Sequence, residues 1–315
     1  MLKNKLNWKR LKIILILLSL IFTLNVHALE KVKLQLKWKT QFQFAGFIAA
    51  KEKGFYKDVG LDVALLEYSA DTDTLEDLKK GKTTFSVSDS SIITEVAKGG
   101  KYVALMAIYQ QSPYVLMSLA SSNIHSLKDL QGKKVGFYSD INSKAVAAML
   151  KDRRILFQKV QVKNSIEQLE TGEVDSVIVY SSNEPYQAKE KSLAVDILHL
   201  NEYGFDRYGD ILITLEKTVN DRPELVAKMD SATRKGFEYA YSHIDEMVEL
   251  IYRKYNTLKR SKVSYYYEAD TLKKFLGSSE KFGKLDKARV NAIGYIYAYY
   301  NSIEPLADSQ RQPTI

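Results

Sequence analysis

Residues 34–63 read LQLKWKTQFQFAGFIAAKEKGFYKDVGLDV, and the pattern of this stretch decides the fold class. Apolar and polar residues alternate from Lys33 to Trp38, which predicts a β-strand. The segment from Gln41 to Lys53 places its apolar residues on one helical face, and Gly54 provides a helix stop. A second β-rich run follows from Leu61 to Glu67. A strand, a helix and a strand in this order are typical of helix-covered, parallel sheets.

The same alternation continues along the chain. Predicted strands cover residues 83–88, 102–109, 114–119, 134–138, 160–162, 176–180, 195–200 and 211–215. Predicted helices of the central region cover residues 74–80, 92–98, 126–130, 142–153 and 165–171. After Pro223, which is well placed at a first helical position, we predict helices over residues 224–241, 244–255, 269–276 and 286–301. The pattern therefore indicates an α/β protein with a helical C-terminal tail.

The alternation changes where two predicted strands follow each other without a helix, at Gln110-Gln111-Ser112-Pro113. We interpret this point as a crossing between two lobes, and we expect the return crossing near Tyr208. Two α/β units joined by two crossings form a hinged, two-lobe binding protein. We assign residues 29–112 and 209–315 to lobe 1 and residues 113–208 to lobe 2, with the helical tail returning to lobe 1.

The N-terminus has the pattern of a secretory signal peptide. Five basic residues within the first twelve positions precede an apolar run over residues 13–24. Val26-His27-Ala28 then matches the small-residue pattern at which signal peptidase cuts. The apolar run is shorter than the roughly 20 residues that a membrane-spanning helix needs. We therefore predict that residues 1–28 are a cleaved signal peptide, and that the mature protein is periplasmic and does not span a membrane.

Composition excludes several function classes. The 315 residues contain no cysteine, which rules out disulfide scaffolds, thiol nucleophiles and cysteine-ligated metals. Without the five N-terminal basic residues, 41 basic residues face 38 acidic ones, so the net charge of +8 does not predict a nucleic-acid partner. The histidines are scattered, and neither a nucleophile elbow nor a phosphate-binding loop occurs. We predict no metal site, no catalytic residue and no cofactor.

The quoted stretch closely resembles the opening of the thiamine-pyrimidine-precursor-binding proteins, which share a superfamily with the aliphatic-sulfonate and taurine binding proteins of ABC importers. The resemblance covers residues 31–300. It implies the type II periplasmic-binding-protein fold, in which each lobe is a mostly parallel sheet with flanking helices. Later landmarks match in the same order: Ser86-Val-Ser-Asp-Ser-Ser91, Ala107-Ile-Tyr-Gln-Gln-Ser-Pro113, Leu127-Lys-Asp-Leu-Gln-Gly-Lys-Lys-Val-Gly136, Asn183-Glu-Pro-Tyr186 and Tyr208-Gly-Asp210.

This resemblance implies a secreted, non-enzymatic solute-binding protein. It would close two lobes around a small heteroaromatic, such as a thiamine pyrimidine precursor, and deliver it to the permease of an ABC transporter. One alternative is an extracytoplasmic sensor that signals to a membrane partner. Another is sulfonate or taurine binding, against which the candidate acids Asp89, Glu184 and Asp210 argue. A third is an enzyme of pyrimidine synthesis. The superfamily's yeast enzyme uses a cysteine-rich iron site, a histidine and pyridoxal phosphate, so the absence of cysteine from this chain argues against that activity.

Candidate ligand-binding residues follow the predicted strands, because ligands of α/β proteins lie beyond the carboxyl ends of strands. Trp38, at the end of the first predicted strand, could stack on a heteroaromatic ring or lie at the rim. Glu184 could accept hydrogen bonds from an amino group or begin a helix. The full set is Trp38, Gln41, Phe42, Asp89, Ser90, Ser91, Tyr109, Gln110, Ser139, Asp140, Asn183, Glu184, Tyr208 and Asp210.

Several members of this set have a structural alternative. Asp89-Ser90-Ser91 and Ser139-Asp140 each precede a predicted helix, so each group either contacts ligand or caps the helix. Tyr208 and Asp210 flank Gly209 at the return crossing. A glycine there either lets the backbone approach a ligand closely or forms a hinge turn.

Overall fold

The computed structural model describes residues 28–301, so the predicted signal peptide lies outside the described residues except for Ala28. The strands are β1 (Glu30–Gln35), β2 (Leu61–Leu66), β3 (Phe85–Ser88), β4 (Tyr102–Ala107), β5 (Tyr114–Leu119), β6 (Lys134–Phe137), β7 (Gln158–Gln161), β8 (Ser176–Tyr180), β9 (Val195–His199) and β10 (Ile211–Leu215). The α-helices are α1 (Ala45–Glu52), α2 (Phe55–Asp58), α3 (Thr74–Lys79), α4 (Ile92–Ala97), α5 (Ile141–Asp152), α6 (Ser165–Glu170), α7 (Glu184–Glu190), α8 (Glu216–Asp221), α9 (Pro223–Ser242), α10 (Ile244–Lys254), α11 (Lys262–Lys273) and α12 (Lys287–Asn301).

The strands form two five-stranded sheets. The first has the order β2-β1-β3-β10-β4 and the second the order β7-β6-β8-β5-β9. We call each sheet with the helices that cover it the first and the second unit. The chain passes to the second unit between β4 and β5 and returns between β9 and β10. The predicted two-lobe α/β fold class is thus confirmed, whereas the residue boundaries of the lobes stay a prediction.

Each sheet is mixed, but four of its five strands run in the same direction, which confirms the expectation of mostly parallel sheets. In the first sheet β1 pairs in parallel with β2 and β3, but β10 is antiparallel to both β3 and β4. In the second sheet β6 is parallel to β7 and β8, but β5 is antiparallel to β8 and β9. The antiparallel strands β5 and β10 are the first ones after each crossing. They insert between other strands because the chain arrives from the opposite unit.

Several element predictions differ from the structure in their bounds, and two of these differences bear on the site. The first strand ends at Gln35, so Trp38 does not end it. Backbone hydrogen bonds to the β2 side continue beyond the strand, because Leu36 N–H donates to the Leu66 carbonyl at 2.8 Å and Tyr68 N–H to the Trp38 carbonyl at 3.3 Å. The backbone N–H of Thr40 then bonds to the Glu67 side chain at 2.7 Å. The helix predicted over 269–276 is α11, which begins much earlier because Ser261 caps it and accepts a hydrogen bond from the backbone N–H of Ser264.

The first unit is held together by a close crossing of α1 and α9. Gly46 of α1 faces α9, and a Cβ at Gly46 would overlap the ring of Phe237. Gly236 of α9 faces α1 in the same way, where a Cβ would overlap the carbonyl oxygen of Gly46 and lie 2.7 Å from the Cβ of Ala50. Glycine at both positions therefore lets the two backbones touch, which positions the segment that follows β1.

The final helix connects the two units. Helix α12 belongs to the tail that we expected to return to the first unit, and it packs against α4 of that unit and also against α5 of the second. Its side chains Ile293 and Tyr297 lie in a hydrophobic cluster that also contains Ala107 of β4 and Phe137 of β6. The units therefore share one continuous core at this side. Within residues 28–301, none of the helices has the length and apolar character to span a bilayer.

Candidate functional site

Four polar side chains meet where the two sheets face each other. Lys37 follows β1, Asp89 follows β3, and Asp210 directly precedes β10. Because β10 runs antiparallel and pairs Ile211 with Ser88, its start lies beside the end of β3. Tyr180 ends β8 of the second unit. We call Lys37, Asp89, Tyr180 and Asp210 the boundary cluster.

Lys37 is the cation of the boundary cluster. Its Nζ lies 2.6 Å from Oδ1 of Asp210 and 3.7 Å from Oδ2 of Asp89. Burial by itself lowers the pKa of Lys37, but the two carboxylates outweigh burial and raise it above its usual value. Burial would raise the pKa of Asp89, yet Lys37 and the backbone N–H of Ser91 hold it below its usual value. Both groups are therefore charged at neutral pH.

Three hydrogen bonds of the boundary cluster join the units, the longest of them from Nε2 of Gln43 to the hydroxyl of Tyr180 at 3.4 Å. The hydroxyl of Tyr180 donates to Oδ1 of Asp210 at 3.0 Å, and Nδ2 of Asn142 donates to Oδ2 of Asp89 at 3.2 Å. Gln43 of the first unit adds a third donor to Asp210 at 2.6 Å. Asp210 is only 1% exposed and thus has three protein donors. Relative movement of the units would have to break the Tyr180 and Asn142 bonds.

A cavity of about 430 Å³ lies next to this boundary. Its walls come from both units: Ser182, Asn183, Tyr186, Gln187, Glu190, Lys259, Arg260, Ser261 and Ser264. Arg260 crosses between the walls and donates from Nη1 to Oδ1 of Asn183 at 2.6 Å. Several buried hydrogen-bonding atoms have no partner among the described residues, and those near this boundary include Oγ of Ser181, Oγ of Ser182 and Oε1 of Gln41. Buried polar atoms normally have a partner, so this boundary has unused hydrogen-bonding capacity.

Glu268 of α11 forms hydrogen bonds to the turn of the first unit that follows β1. It is fully buried, and its carboxylate accepts hydrogen bonds from the backbone N–H groups of Phe42 and Gln43 at 3.1 and 2.9 Å. Burial raises the pKa of Glu268 from 4.5 to about 7, because the charged form loses its hydration. This carboxyl therefore fixes the turn that carries Gln41 and Gln43.

The raised pKa of Glu268 predicts a pH-dependent stability. The folded state binds this proton more tightly than the unfolded chain, so the free energy of unfolding falls as the pH rises between about 4.5 and about 7. Between pH 5.5 and 7.5 we expect wild type to lose about 2 kcal/mol relative to Glu268→Gln, measured by urea denaturation. Glu238→Gln, at an exposed position of α9, is the control. Parallel pH profiles for wild type and Glu268→Gln would contradict the prediction.

The structure brings together only part of the predicted site. Asp89 and Asp210 belong to the boundary cluster, and Asn183 lines the cavity. Half-buried Glu184 lies beside them and accepts from the backbone N–H of Tyr180 at 3.0 Å, while burial raises its pKa. Gln41 bonds to the side chain of Gln43. Trp38 is 46% exposed and stacks on Tyr68 with a centroid distance of 5.6 Å.

The other predicted residues have partners elsewhere. Phe42 and Tyr109 lie in the core of the first unit, where the Tyr109 hydroxyl donates to the carbonyl oxygen of Gln43 at 2.9 Å. Asp140 caps α5 through the backbone N–H of Ser143, and Ser139 bonds to Gln161. The remaining predicted residues lie at the crossings and at the start of α4, and each of them forms a hydrogen bond there. Ser90 donates to the Tyr208 carbonyl, the Ser91 backbone N–H to Asp89 and Gln110 to the Lys284 carbonyl, while the Tyr208 hydroxyl accepts from the Asp286 N–H.

Sequence reasoning missed five polar residues of this boundary. They are Lys37, Gln43, Asn142, Tyr180 and Arg207. Two of them had a readable signal, because Lys37 and Gln43 are polar residues within the stretch that decides the fold. Arg207 had no such signal, because a charged residue on a predicted loop is exposed by default. Among residues 28–301, no group of three or more His, Cys, Asp or Glu side chains could hold a metal ion.

The two units and their polar boundary define the periplasmic-binding-protein fold. A similar solved structure is that of the periplasmic aliphatic sulphonate binding protein SsuA from Escherichia coli, with a TM-score of 0.69 at 15% identity, covering 90% of this chain and 97% of that one. The chain belongs to the family described as NMT1/THI5 like, whose model matches residues 41–247.

Curated relatives of the chain have both binding and synthase names. The riboflavin-binding protein RibY of Chloroflexus aurantiacus is 23% identical over 234 residues, 70% of this chain and 66% of that protein. The formylaminopyrimidine-binding protein of Halalkalibacterium halodurans is 25% identical over 260 residues, 77% of this chain and 78% of that protein. The 4-amino-5-hydroxymethyl-2-methylpyrimidine phosphate synthase of Legionella pneumophila is 23% identical over 230 residues, 70% of this chain and 73% of that protein.

Proposed function

We propose that this protein is an exported solute-binding protein that holds a small amino-heteroaromatic, a pyrimidine of the thiamine-precursor kind, between its two units. It would then present this ligand to the permease of an ABC transporter. One observation carries the proposal: a cavity of about 430 Å³ has walls from both units, and one of its lining residues, Ser182, has a buried hydroxyl without a hydrogen-bond partner among the described residues. A cavity of this size is within the range of small-molecule sites.

The chemistry of the unpartnered atoms near this boundary suits an amino-heteroaromatic. Oε1 of Gln41 is an acceptor for an exocyclic amino group, and the hydroxyls of Ser181 and Ser182 can donate to ring nitrogens. The names of the formylaminopyrimidine-binding relative and of the pyrimidine phosphate synthase support a ligand of this class. The absence of cysteine from the sequence favours binding over a synthase activity.

Closure of the units around the ligand would follow from population shift. The Tyr180–Asp210 and Asn142–Asp89 hydrogen bonds can form only when the units are together. A ligand that bonds to atoms of both units adds to these contacts in the closed form alone, so it favours that form. The permease would recognise the closed surface.

The ligand class is tested by what the protein retains and what it binds. Mass spectrometry of protein purified natively should find a co-purifying pyrimidine. Calorimetric titration with 4-amino-5-hydroxymethyl-2-methylpyrimidine should give a dissociation constant of about 1 μM. This constant corresponds to a binding free energy of about −8 kcal/mol. Riboflavin and ethanesulfonate are the comparison ligands. Tighter binding of riboflavin, or the lack of pyrimidine binding, would overturn the proposed ligand.

Trp38 provides a site prediction with its own readout. The other tryptophan, Trp8, lies in the predicted signal peptide, so the mature protein has a single indole. Trp38 presents one exposed face while the other stacks on Tyr68, which suits a second aromatic layer. We expect a fluorescence change on titration, and Trp38→Ala should weaken pyrimidine binding by about ten- to a hundredfold.

The matched control for Trp38 is Tyr299→Ala, which removes an exposed ring from α12. This variant should bind the pyrimidine with wild-type affinity. If Trp38→Ala also binds like wild type, Trp38 lies outside the ligand site.

A further inference from the structure

A second cavity lies at the two crossings. Its volume is about 470 Å³, and we call it the crossing cavity. Its walls come from both crossings, from the connection between α11 and α12, and from the first turn of α12. None of its lining residues belongs to the cavity of about 430 Å³ beside the boundary cluster. The crossing cavity is therefore separate from the candidate ligand site.

The connection between α11 and α12 holds both crossings in place. The carbonyl oxygen of Phe275 accepts a hydrogen bond from the backbone N–H of Gln110 at 2.6 Å. Nη2 of Arg289 donates to the carbonyl oxygen of Gln110 at 2.6 Å and pairs with Asp206 of the return crossing at 2.7 Å. Gly277 has a φ of +78°, and a Cβ there would lie 2.8 Å from Cγ of Gln110. Hydrogen bonds and close packing thus fix the backbone around the crossing cavity.

The walls of the crossing cavity carry an excess of positive charge. The cations Lys274, Lys281 and Arg289 line it together with a single acid, Asp206, which leaves a formal charge of +2. Arg289 is already paired with Asp206, so the uncompensated charge belongs to the two lysines. Neither lysine forms an ion pair with a carboxylate within residues 28–301. Both are exposed, so each can contact an anion without losing a counter-charge.

The sequence concentrates positive charge at the same place. Residues 273–289, from the end of α11 to the first turn of α12, contain six basic and two acidic residues, a net charge of +4. Residues 29–315 together have a net charge of +3, so the rest of the predicted mature chain is slightly acidic. A local field of one sign attracts partners of the opposite charge. This segment therefore favours an anionic partner.

Neutral hydrogen-bond donors lie in the same walls. The hydroxyl of Ser278 and the side-chain amide of Gln111 have no hydrogen-bond partner in the described part of the chain. The backbone N–H groups of Gly277 and Ser278 donate to no backbone carbonyl there. Lysine ammonium groups, hydroxyls and backbone N–H groups are the donors with which proteins bind phosphate. The crossing cavity contains all three kinds.

We propose that the crossing cavity binds a phosphate group, with Lys274 and Lys281 as its counter-charges and Ser278 as a neutral donor. A phosphate monoester carries about 1.5 to 2 negative charges at pH 7, which matches the excess charge of the walls. A group with one negative charge would leave one of the two lysines uncompensated. The phosphate group can belong to a small soluble molecule or to a lipid headgroup. The inference does not rest on the proposed function, because it concerns a different cavity.

The first test compares inorganic phosphate with acetate, an anion of one charge. Both are titrated into natively purified protein by calorimetry at equal ionic strength, because salt screens exposed charges. Wild type should bind phosphate at least about tenfold more tightly than acetate. A lipid headgroup has the same phosphate chemistry, so this preference is expected for either source. Equal affinity for phosphate and acetate overturns the proposal, and this comparison needs no variant.

The second test locates the phosphate in the cavity. The double substitution Lys274→Gln with Lys281→Gln should weaken phosphate binding by at least about tenfold, because it removes the uncompensated charge of the walls. The matched control is Lys273→Gln with Lys287→Gln, two exposed lysines of the same segment that do not line the cavity. This control changes the net charge equally and should weaken binding less than about twofold. Equal losses in the two double variants overturn the site.

A third measurement identifies the source of the phosphate. The protein is sedimented with phosphatidylcholine vesicles in which about a fifth of the lipid is phosphatidic acid, whose headgroup is a phosphate monoester. Co-sedimentation that the Lys274→Gln, Lys281→Gln variant loses and the control variant keeps supports the site with a lipid as the source. Phosphate binding without co-sedimentation supports the site with a small soluble phosphate as the source.

Discussion

Asp210→Ala should lower the free energy of unfolding by about 3–5 kcal/mol, measured by urea denaturation. The substitution removes the acceptor of Lys37, Gln43 and Tyr180 at once. Lys37 is then left with Asp89 at 3.7 Å as its remaining carboxylate among the described residues. Loss of one member of a buried ion pair is expensive because the other charge stays desolvated.

A double-mutant cycle separates this loss of charge pairing from a general loss of packing. Lys37→Met on the Asp210→Ala background removes the orphaned cation, so part of the lost stability should return. Asp230→Ala is the control, since Asp230 forms an ion pair of 2.7 Å with Arg234 that is open to water. That pair should contribute less than about 1 kcal/mol. Additive effects of Lys37→Met and Asp210→Ala would show that the two charges do not interact.

Gly236→Ala should destabilise the protein by about 3 kcal/mol or more, although alanine is the better helix former. The new methyl group would overlap the carbonyl oxygen of Gly46, which is backbone and cannot rotate away. Helices α1 and α9 would have to separate, and the segment after β1 that carries Lys37 and Gln43 would move with α1. We therefore expect weaker ligand binding together with a lower melting temperature.

Ser231→Ala, at an exposed position of the same helix, is the matched control. It should change the free energy of unfolding by less than about 0.5 kcal/mol. If Gly236→Ala were equally harmless, α1 and α9 would not pack as closely as the structure has them.

The sequence by itself determined the fold class, because hydrophobic periodicity and helix stops are local properties of the chain. Gly54 follows the end of α1 as predicted, and its φ is positive. Asp73 caps α3 by accepting hydrogen bonds from the backbone N–H groups of Leu75 and Glu76, a contact within four residues of the chain. The motif of residues 34–63 identified the family, which the match over residues 41–247 confirmed.

Tertiary structure alone decided the direction of the strands after each crossing. Periodicity predicts that β5 and β10 are strands, but it contains no information about which neighbours they meet. Their antiparallel insertion places Asp210 next to the end of β3 and Tyr114 opposite Tyr180. Half of the pairings in each sheet follow from this insertion.

Tertiary structure also decided which polar residues form the candidate site. A charged residue on a predicted loop is exposed by default, so nothing local distinguishes Arg207 from a surface arginine. Its burial depends on Asn142 and Tyr297, which lie 65 positions before and 90 positions after it. Glu268 likewise belongs to the site only because α11 folds back beneath Phe42 and Gln43. Contacts between residues this far apart in the chain arise from packing of the two units, which local sequence patterns do not encode.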